Sequence, residues 1–240
     1  MNSVKEQMKG KNKDLHYWKT KKFFQKQANR KKGFYTSRDN DNIKKEIKKR
    51  KMWQIYTYCL KEVLDDNPDI QSGIDVGCGM GNFLLEMIQF DQLEKIIGLD
   101  FLKETIDLAL ENPELMKKVT FIQGDLLDMP FNNRDFDLTV CLNVLHHIHI
   151  DDLNKAIEEL TRITNKCIIL EIRNNKYVFN LFYSPIILSK VYGKLPLYST
   201  NVSEVTSLMN ARGFHLKKIR GKHNKNWACR RLVLVYERTR

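Results

Sequence analysis

Apolar and polar positions follow two periods along this chain, and together they predict an α/β fold. Short apolar runs predict seven strands, at Gly73–Val76, Lys95–Asp100, Val119–Gln123, Phe136–Leu142, Cys167–Ile172, His215–Arg220 and Leu232–Glu237. Apolar residues at helical spacing predict helices near residues 82–90, 102–111, 152–164, 177–191 and 202–212. Strands that alternate with helices favour a doubly wound, mostly parallel seven-stranded sheet with helices on both faces.

The two ends of the chain depart from this alternation. Only residues 221–231 separate the last two apolar runs, and they show no helical pattern, so we predict an antiparallel C-terminal hairpin. Residues 1–66 predict a basic helical arm, with one helix around 15–30 and another from about 42 to 65. The arm is either a lid over a pocket or a cover for a sheet edge. Residues 67–240 then form the main domain.

A glycine-rich turn follows the first predicted strand, in the segment Ile74-Asp75-Val76-Gly77-Cys78-Gly79-Met80-Gly81-Asn82. A strand, a tight glycine turn and a helix N-terminus together suit a nucleoside-bearing ligand at a sheet edge. Glycine permits positive φ and a close approach of the ligand to the backbone. A dinucleotide fingerprint counted from Gly77 needs glycine or alanine at position 82, where Asn82 stands, so the spacing disfavours a dinucleotide.

Polar groups also end the next three predicted strands. Asp100 closes the second strand 19 residues after Gly81, Asp125 follows the third, and Asn143 follows the fourth. Because the carboxyl ends of parallel strands meet at one edge of a sheet, we expect these groups to surround one ligand. A carboxylate at the position of Asp100 can accept both hydroxyls of a ribose. Carboxylates around the glycine turn suit a cationic nucleoside and disfavour a pyrophosphate.

On these four strand ends the chain resembles the class I S-adenosylmethionine-dependent methyltransferases, strongly over residues 70–173 and loosely over 200–240. The resemblance implies this fold, S-adenosylmethionine as cofactor and S-adenosylhomocysteine as product. It also implies a cofactor site made of Asp75, Gly77, Cys78, Gly79, Gly81, Asn82, Asp100, Phe101, Asp125, Leu126 and Asn143. The sequence shows no set of acids or histidines spaced for a metal, so we expect no metal cofactor.

The segment 143–148 is most similar to methyltransferases of small molecules and quinone precursors, and some RNA methyltransferases carry a similar one. Its histidines, His146 and His147, are candidate catalytic bases because an imidazole titrates near neutrality. Either histidine can instead be structural. Residues 174–200 are aromatic and apolar, and the resemblance implies a substrate lid there for an apolar or amphiphilic acceptor. Packing of a helix onto the core explains the same pattern.

Charge is divided unevenly along the chain, whose net charge is +12. Residues 1–52 hold 18 basic and 5 acidic residues, and residues 212–240 hold 10 and 1, around an acidic centre. Such ends attract RNA, an anionic membrane surface or an acidic partner, or they are simply a solvated surface. Five scattered cysteines and a charged N-terminal segment without an apolar stretch indicate a reduced, cytoplasmic protein.

Three functions are consistent with the sequence. The favoured one is methyl transfer from S-adenosylmethionine to a small, apolar or aromatic acceptor. The second is methylation of tRNA or rRNA, with the basic ends holding the nucleic acid. The third is a scaffold that binds the cofactor without turnover. The sequence does not indicate an oligomeric state.

Overall fold

The computed structural model describes residues 16–26, 28–29, 51–176, 197–223, 225 and 228–239. Within these residues, seven strands form one sheet in the order β3-β2-β1-β4-β5-β7-β6. The strands are β1 (Ser72–Val76), β2 (Lys95–Asp100), β3 (Thr120–Gln123), β4 (Phe136–Cys141), β5 (Thr164–Arg173), β6 (Phe214–Gly221) and β7 (Arg231–Arg238).

The first five strands are parallel, and β7 lies antiparallel between β5 and β6. The predicted doubly wound sheet and its antiparallel hairpin are therefore confirmed. After β3 the chain crosses back over β2 and β1 to place β4 on the other side of β1. This reversal opens a crevice at the carboxyl ends of β1 and β4, where doubly wound folds bind their ligands.

The described helices alternate with the strands in the main domain. They are α1 (16–26), α2 (Lys51–Asp66), α3 (Leu84–Met87), α4 (Lys103–Leu110), α5 (Pro113–Lys118), α6 (Leu153–Ile163) and α7 (Val202–Asn210). The helix predicted near 177–191 lies outside the described residues, as does most of the predicted substrate lid at 174–200. The part of the second arm helix before residue 51 also lies outside them.

Two helices differ from the sequence prediction. The segment predicted as a helix over 82–90 is helical only at Leu84–Met87, because the glycine turn continues through residue 83. The helix α5 was not predicted. Its signal is Asn112-Pro113: the Asn112 side chain accepts a hydrogen bond from the Glu114 N–H (2.9 Å), and proline occupies the first helical position.

Side chains alternate between the two faces of the central strand β5, and each face has its own apolar core. Ile168, Leu170 and Ile172 pack with the buried residues of α6 and α7. Cys167 and Ile169 pack in the second core, with the buried residues of α2. A strand that is covered on both faces is expected in a parallel sheet with helices on both sides.

All five cysteines are buried and free of disulfide bonds. Among the described residues, no helix has the length and apolar character needed to span a bilayer.

The glycine turn supplies a test of backbone strain. Gly77 has φ +76°, and a Cβ at this position would lie 2.3 Å from Cγ2 of Val144, a β-branched side chain. Gly213 has φ +75°, and a Cβ there would meet nothing within 4 Å. We expect Gly213→Ala to lower the free energy of unfolding by about 1 kcal/mol and Gly77→Ala to lower it by about 2–4 kcal/mol, since a steric clash adds to the strain. Urea unfolding without ligand measures both, and equal losses would contradict the clash.

Candidate active site

Backbone hydrogen bonds hold the glycine turn against the end of β2. The backbone N–H groups of Gly77 and Cys78 both donate to the Leu99 carbonyl oxygen, at 2.7 and 2.9 Å. Gly79 has φ +54°, and a Cβ built on it would meet nothing within 4 Å. The backbone at Gly79 therefore faces open space, which a ligand can approach closely.

Asp100 links the turn to the start of α4. Its Oδ2 accepts from the Gly79 N–H (2.8 Å), and its Oδ1 accepts from the Leu102 N–H (2.9 Å) and from the Thr105 hydroxyl (3.1 Å). Burial raises the pKa of Asp100, and these hydrogen bonds oppose the rise. A carboxylate has about four acceptor positions, so Asp100 can accept a further bond from a ligand hydroxyl.

Asp75 lies beneath the same turn and is only 3% exposed. Burial, the largest cause, and the charge of Asp100 raise the pKa of Asp75 to about 7. Asp75 does not line the cavity described below, so its carboxyl group has no direct contact with that space.

Asn143 follows β4 in the left-handed conformation, with φ +61°. Its Oδ1 accepts from Arg231 Nη1 (2.7 Å), and its Nδ2 donates to the Tyr56 hydroxyl (3.4 Å). The Tyr56 hydroxyl donates to Glu171, and Arg231 Nη1 lies 3.7 Å from Glu171 Oε2. Asn143 is thus held by side chains from α2 and β7, which in turn contact the acid on β5.

The sequence did not predict Tyr56, Glu171 or Arg231 as parts of the site. Glu171 is fully buried, and burial raises its pKa, while the charge of Arg231 opposes this. A charged residue within the apolar run of β5 was the available signal, because a carboxylate in a core strand needs partners.

Only one of the two candidate catalytic histidines lines the cavity. His147 lines the cavity, whereas His146 is 3% exposed, does not line it, and has Nε2 3.3 Å from Arg173 Nη2. Burial, followed by the charges of Arg173 and His16, lowers the pKa of His147 to about 3. Burial is also the main cause that lowers the pKa of His146. Both imidazoles are therefore neutral at pH 7.

Helix α1 lies over the cavity and contributes His16, Tyr17, Thr20 and Phe24 to its wall. The His16 Nε2 atom lies 2.8 Å from the carbonyl oxygen of His147. The ring of Phe24 packs edge-on against the His147 ring, with 4.8 Å between centroids. The described part of the basic arm thus covers the site, and its action as a lid stays a prediction.

The cavity at these strand ends has a volume of about 500 Å³, within the range of small-molecule sites. Eight of the predicted site residues line it: Gly77, Gly79, Asp100, Phe101, Asp125, Leu126, Asn143 and His147. Five others do not: Asp75, Cys78, Gly81, Asn82 and His146. The described lining includes three carboxylates, of Asp100, Asp125 and Asp152, and neither lysine nor arginine.

Together the fold and the cavity define a doubly wound α/β domain with a nucleoside-type site at its topological switch point. Residues 74–166 match the family model described as "Methyltransferase domain". The chain carries a methyltransferase domain of the class I S-adenosylmethionine-dependent family, as the sequence predicted, and S-adenosylmethionine is its expected cofactor.

Two relatives of this chain are methyltransferases whose names give different acceptors. The chain is 30% identical to ajmaline N-methyltransferase of Rauvolfia serpentina over 44% of this chain and 36% of that one. It is 25% identical to magnesium-protoporphyrin O-methyltransferase of Rhodobacter capsulatus, over 63% of this chain and 72% of that one. The chain spans less than two thirds of the length of the first curated relatives that it matches.

Solved structures confirm the fold. Magnesium protoporphyrin IX methyltransferase from Synechocystis PCC 6803, solved with bound S-adenosylhomocysteine, has a TM-score of 0.62 at 17% identity. The similarity covers 78% of this chain and 83% of that one.

The raised pKa of Asp75 predicts a pH-dependent stability. The folded state holds a proton on Asp75 up to about pH 7, whereas the unfolded chain releases it near 4, so wild-type stability falls as pH rises between these values. Asn mimics the protonated acid. We expect Asp75→Asn to be more stable than wild type by roughly 2 kcal/mol or more at pH 8 and nearly equal at about pH 4. Urea unfolding at both pH values measures this, and a pH-independent difference would contradict it.

Proposed function

We propose that this protein transfers the methyl group of S-adenosylmethionine to a small, apolar or aromatic acceptor. The observation that carries the proposal is the charge of the cavity wall: three carboxylates and, among the described residues, no lysine or arginine. Such a wall favours a cationic sulfonium nucleoside over an anionic nucleotide. The match of residues 74–166 to the methyltransferase family supports the same ligand.

The cofactor half of the cavity lies between β1, β2 and β3. Asp100 is positioned to accept from the ribose hydroxyls, because its remaining acceptor capacity adjoins the Gly79 backbone. Asp125 follows β3, and its Oδ1 accepts from the Leu127 N–H at 2.9 Å, which fixes the carboxylate beside the cavity. We assign Asp125 to the amino group of adenine.

The acceptor half lies beyond Asn143, between α1 and the loop after β4. Phe24, His147, Ile148 and His149 line it, so aromatic and apolar surface lies there beside the polar side chains of α1 and the Asp152 carboxylate. Ajmaline and magnesium protoporphyrin, which give the two relatives their names, both contain several rings. An apolar ring system is therefore the acceptor class that we propose here.

Methyl transfer from a sulfonium requires the protein mainly to align the acceptor atom with the methyl group. The sulfonium supplies an electrophilic methyl group, and the site must place the acceptor atom in line with it and exclude water. His147 is neutral, and the pKa of about 3 makes it a weak base. We assign it to accepting a hydrogen bond from an acidic hydroxyl of the acceptor, which orients the nucleophile; the S–CH₃ bond breaks as the O–CH₃ bond forms, S-adenosylhomocysteine leaves as a neutral thioether, and the hydroxyl proton is released to solvent.

Methylation of RNA has less support in the described residues. Several basic side chains near the C-terminus are paired with acids: Lys217 with Glu237 (3.0 Å) and Lys218 with Glu62 (2.7 Å). Paired charges contribute less to phosphate binding than unpaired ones. RNA methylation and a non-catalytic scaffold are therefore outcomes that the experiments below can reveal.

Cofactor binding tests the first half of the proposal. We expect the wild type to bind S-adenosylhomocysteine in isothermal titration calorimetry and Asp100→Ala to weaken binding at least tenfold, because a buried hydrogen-bonded acceptor is lost. Asp107→Ala is the matched control, since Asp107 is an exposed acid on α4 paired with Lys103. Absence of wild-type binding, or equal binding by Asp100→Ala, would contradict the proposal.

Transfer of a labelled methyl group tests the acceptor class. The protein is incubated with methyl-labelled S-adenosylmethionine and a cell extract, which is then separated into organic-soluble, RNA and protein fractions. We expect the label in the organic-soluble fraction, and we expect His147→Gln to lower its incorporation by about 10- to 100-fold while binding of S-adenosylhomocysteine is unchanged. Label in RNA would overturn the acceptor class, and absence of label with cofactor binding intact would favour the scaffold.

A further inference from the structure

Tyr17 stands out among the α1 residues of the cavity wall because it reaches the cofactor half. It lines the cavity together with Asp125, and burial, followed by the charge of the Asp125 carboxylate, raises the pKa of Tyr17. Its ring lies edge-on to Phe101, with 6.3 Å between centroids. Asp125 and Phe101 follow β3 and β2, so Tyr17 bridges the loops at two adjacent strand ends. Tyr17 also lies outside the residues 74–166 that match the family model.

Contacts along α1 hold Tyr17 in this place. The His16 Nε2 atom contacts the His147 carbonyl oxygen at 2.8 Å, on the acceptor side. At the other end of the helix, Gln25 Nε2 donates to Glu104 Oε1 of α4 at 2.6 Å. Because both ends are tied to the main domain, the ring of Tyr17 is positioned before a ligand arrives.

We propose that Tyr17 is a cofactor-binding residue that covers the purine and orients Asp125 toward its amino group. This inference rests on the proposed function. The Leu127 N–H donates to Asp125 Oδ1, and the Tyr17 side chain lines the same cavity as this carboxylate, which keeps acceptor positions for a donor on the ligand. A 6-amino purine supplies that donor, whereas a 6-oxo purine presents another acceptor. Tyr17 thereby contributes to base specificity as well as to affinity.

The neighbouring Trp18 provides a matched control. It is an aromatic residue on the same helix, but it is 62% exposed and does not line the cavity. Among the described residues, its ring contacts Tyr17, at 5.9 Å between centroids, and the Lys21 ammonium group. Loss of an aromatic ring from α1 is thus common to Tyr17→Ala and Trp18→Ala, whereas loss of a cavity contact is confined to Tyr17→Ala.

Three ligands test which part of the cofactor Tyr17 contacts. S-adenosylhomocysteine is the complete product, 5′-methylthioadenosine lacks the amino-acid portion, and S-inosylhomocysteine replaces the 6-amino group by an oxo group. Calorimetry gives the dissociation constant of each ligand for the full-length wild type, Tyr17→Ala, Tyr17→Phe and Trp18→Ala. Circular dichroism of each variant checks that the fold is retained.

We expect Tyr17→Ala to weaken S-adenosylhomocysteine and 5′-methylthioadenosine by the same factor, about tenfold, because the lost contact is with the purine. Tyr17→Phe keeps the ring, so it retains most of the affinity but narrows the preference for S-adenosylhomocysteine over S-inosylhomocysteine. Trp18→Ala leaves all three constants unchanged.

Two results would overturn the inference even where Tyr17→Ala loses affinity. One is an equal loss of affinity in Tyr17→Ala and Trp18→Ala, which would mean that α1 acts only through its packing. The other is an unchanged purine preference in Tyr17→Phe. If wild type does not bind S-adenosylhomocysteine, the proposed function itself fails; if wild type binds and Tyr17→Ala binds equally well, only the role of Tyr17 fails.

Discussion

The site depends on the contact between the glycine turn and the end of β2. Two consecutive N–H groups, of Gly77 and Cys78, share the Leu99 carbonyl oxygen, and the residue after Leu99, Asp100, accepts from Gly79. These bonds fix the turn against the neighbouring strand, so the backbone and the carboxylate keep one relative position. Positive φ at Gly77 and Gly79 makes this geometry accessible without a Cβ in the way. A cavity with pre-positioned acceptors follows directly.

A second constraint is the buried charge on β5. Glu171 has no exposed surface, and a carboxylate in such a place requires charged or hydrogen-bonding partners. Tyr56 and Arg231 provide them, and both also contact Asn143 at the rim of the cavity. The same side chains that stabilise the buried acid therefore determine the direction of the Asn143 amide. One network of hydrogen bonds and charges therefore connects the buried Glu171 of the core to Asn143 at the cavity.

The sequence predicted most of the sheet because buried parallel strands are continuous apolar runs, and it placed Asp100, Asp125 and Asn143 because strand ends can be located from those runs. It did not predict α5, which is short and whose signal is only its cap, Asn112-Pro113. It did not predict Tyr17, Tyr56 or Arg231 in the site, since their positions depend on how distant segments pack. Nor could it separate His146 from His147, whose ring centroids lie only 4.0 Å apart although only His147 lines the cavity.

The antiparallel position of β7 has a consequence for synthesis of the chain. This strand comes last among the described strands, yet it lies inside the sheet between β5 and β6. Until the ribosome has released residues 231–238, β5 keeps an open edge of unpaired backbone groups, and such edges invite pairing with other chains. Arg231 is the first residue of that strand, so the nascent protein gains the pairing of β7 with β5 and the Arg231 hydrogen bond to Asn143 in the same step.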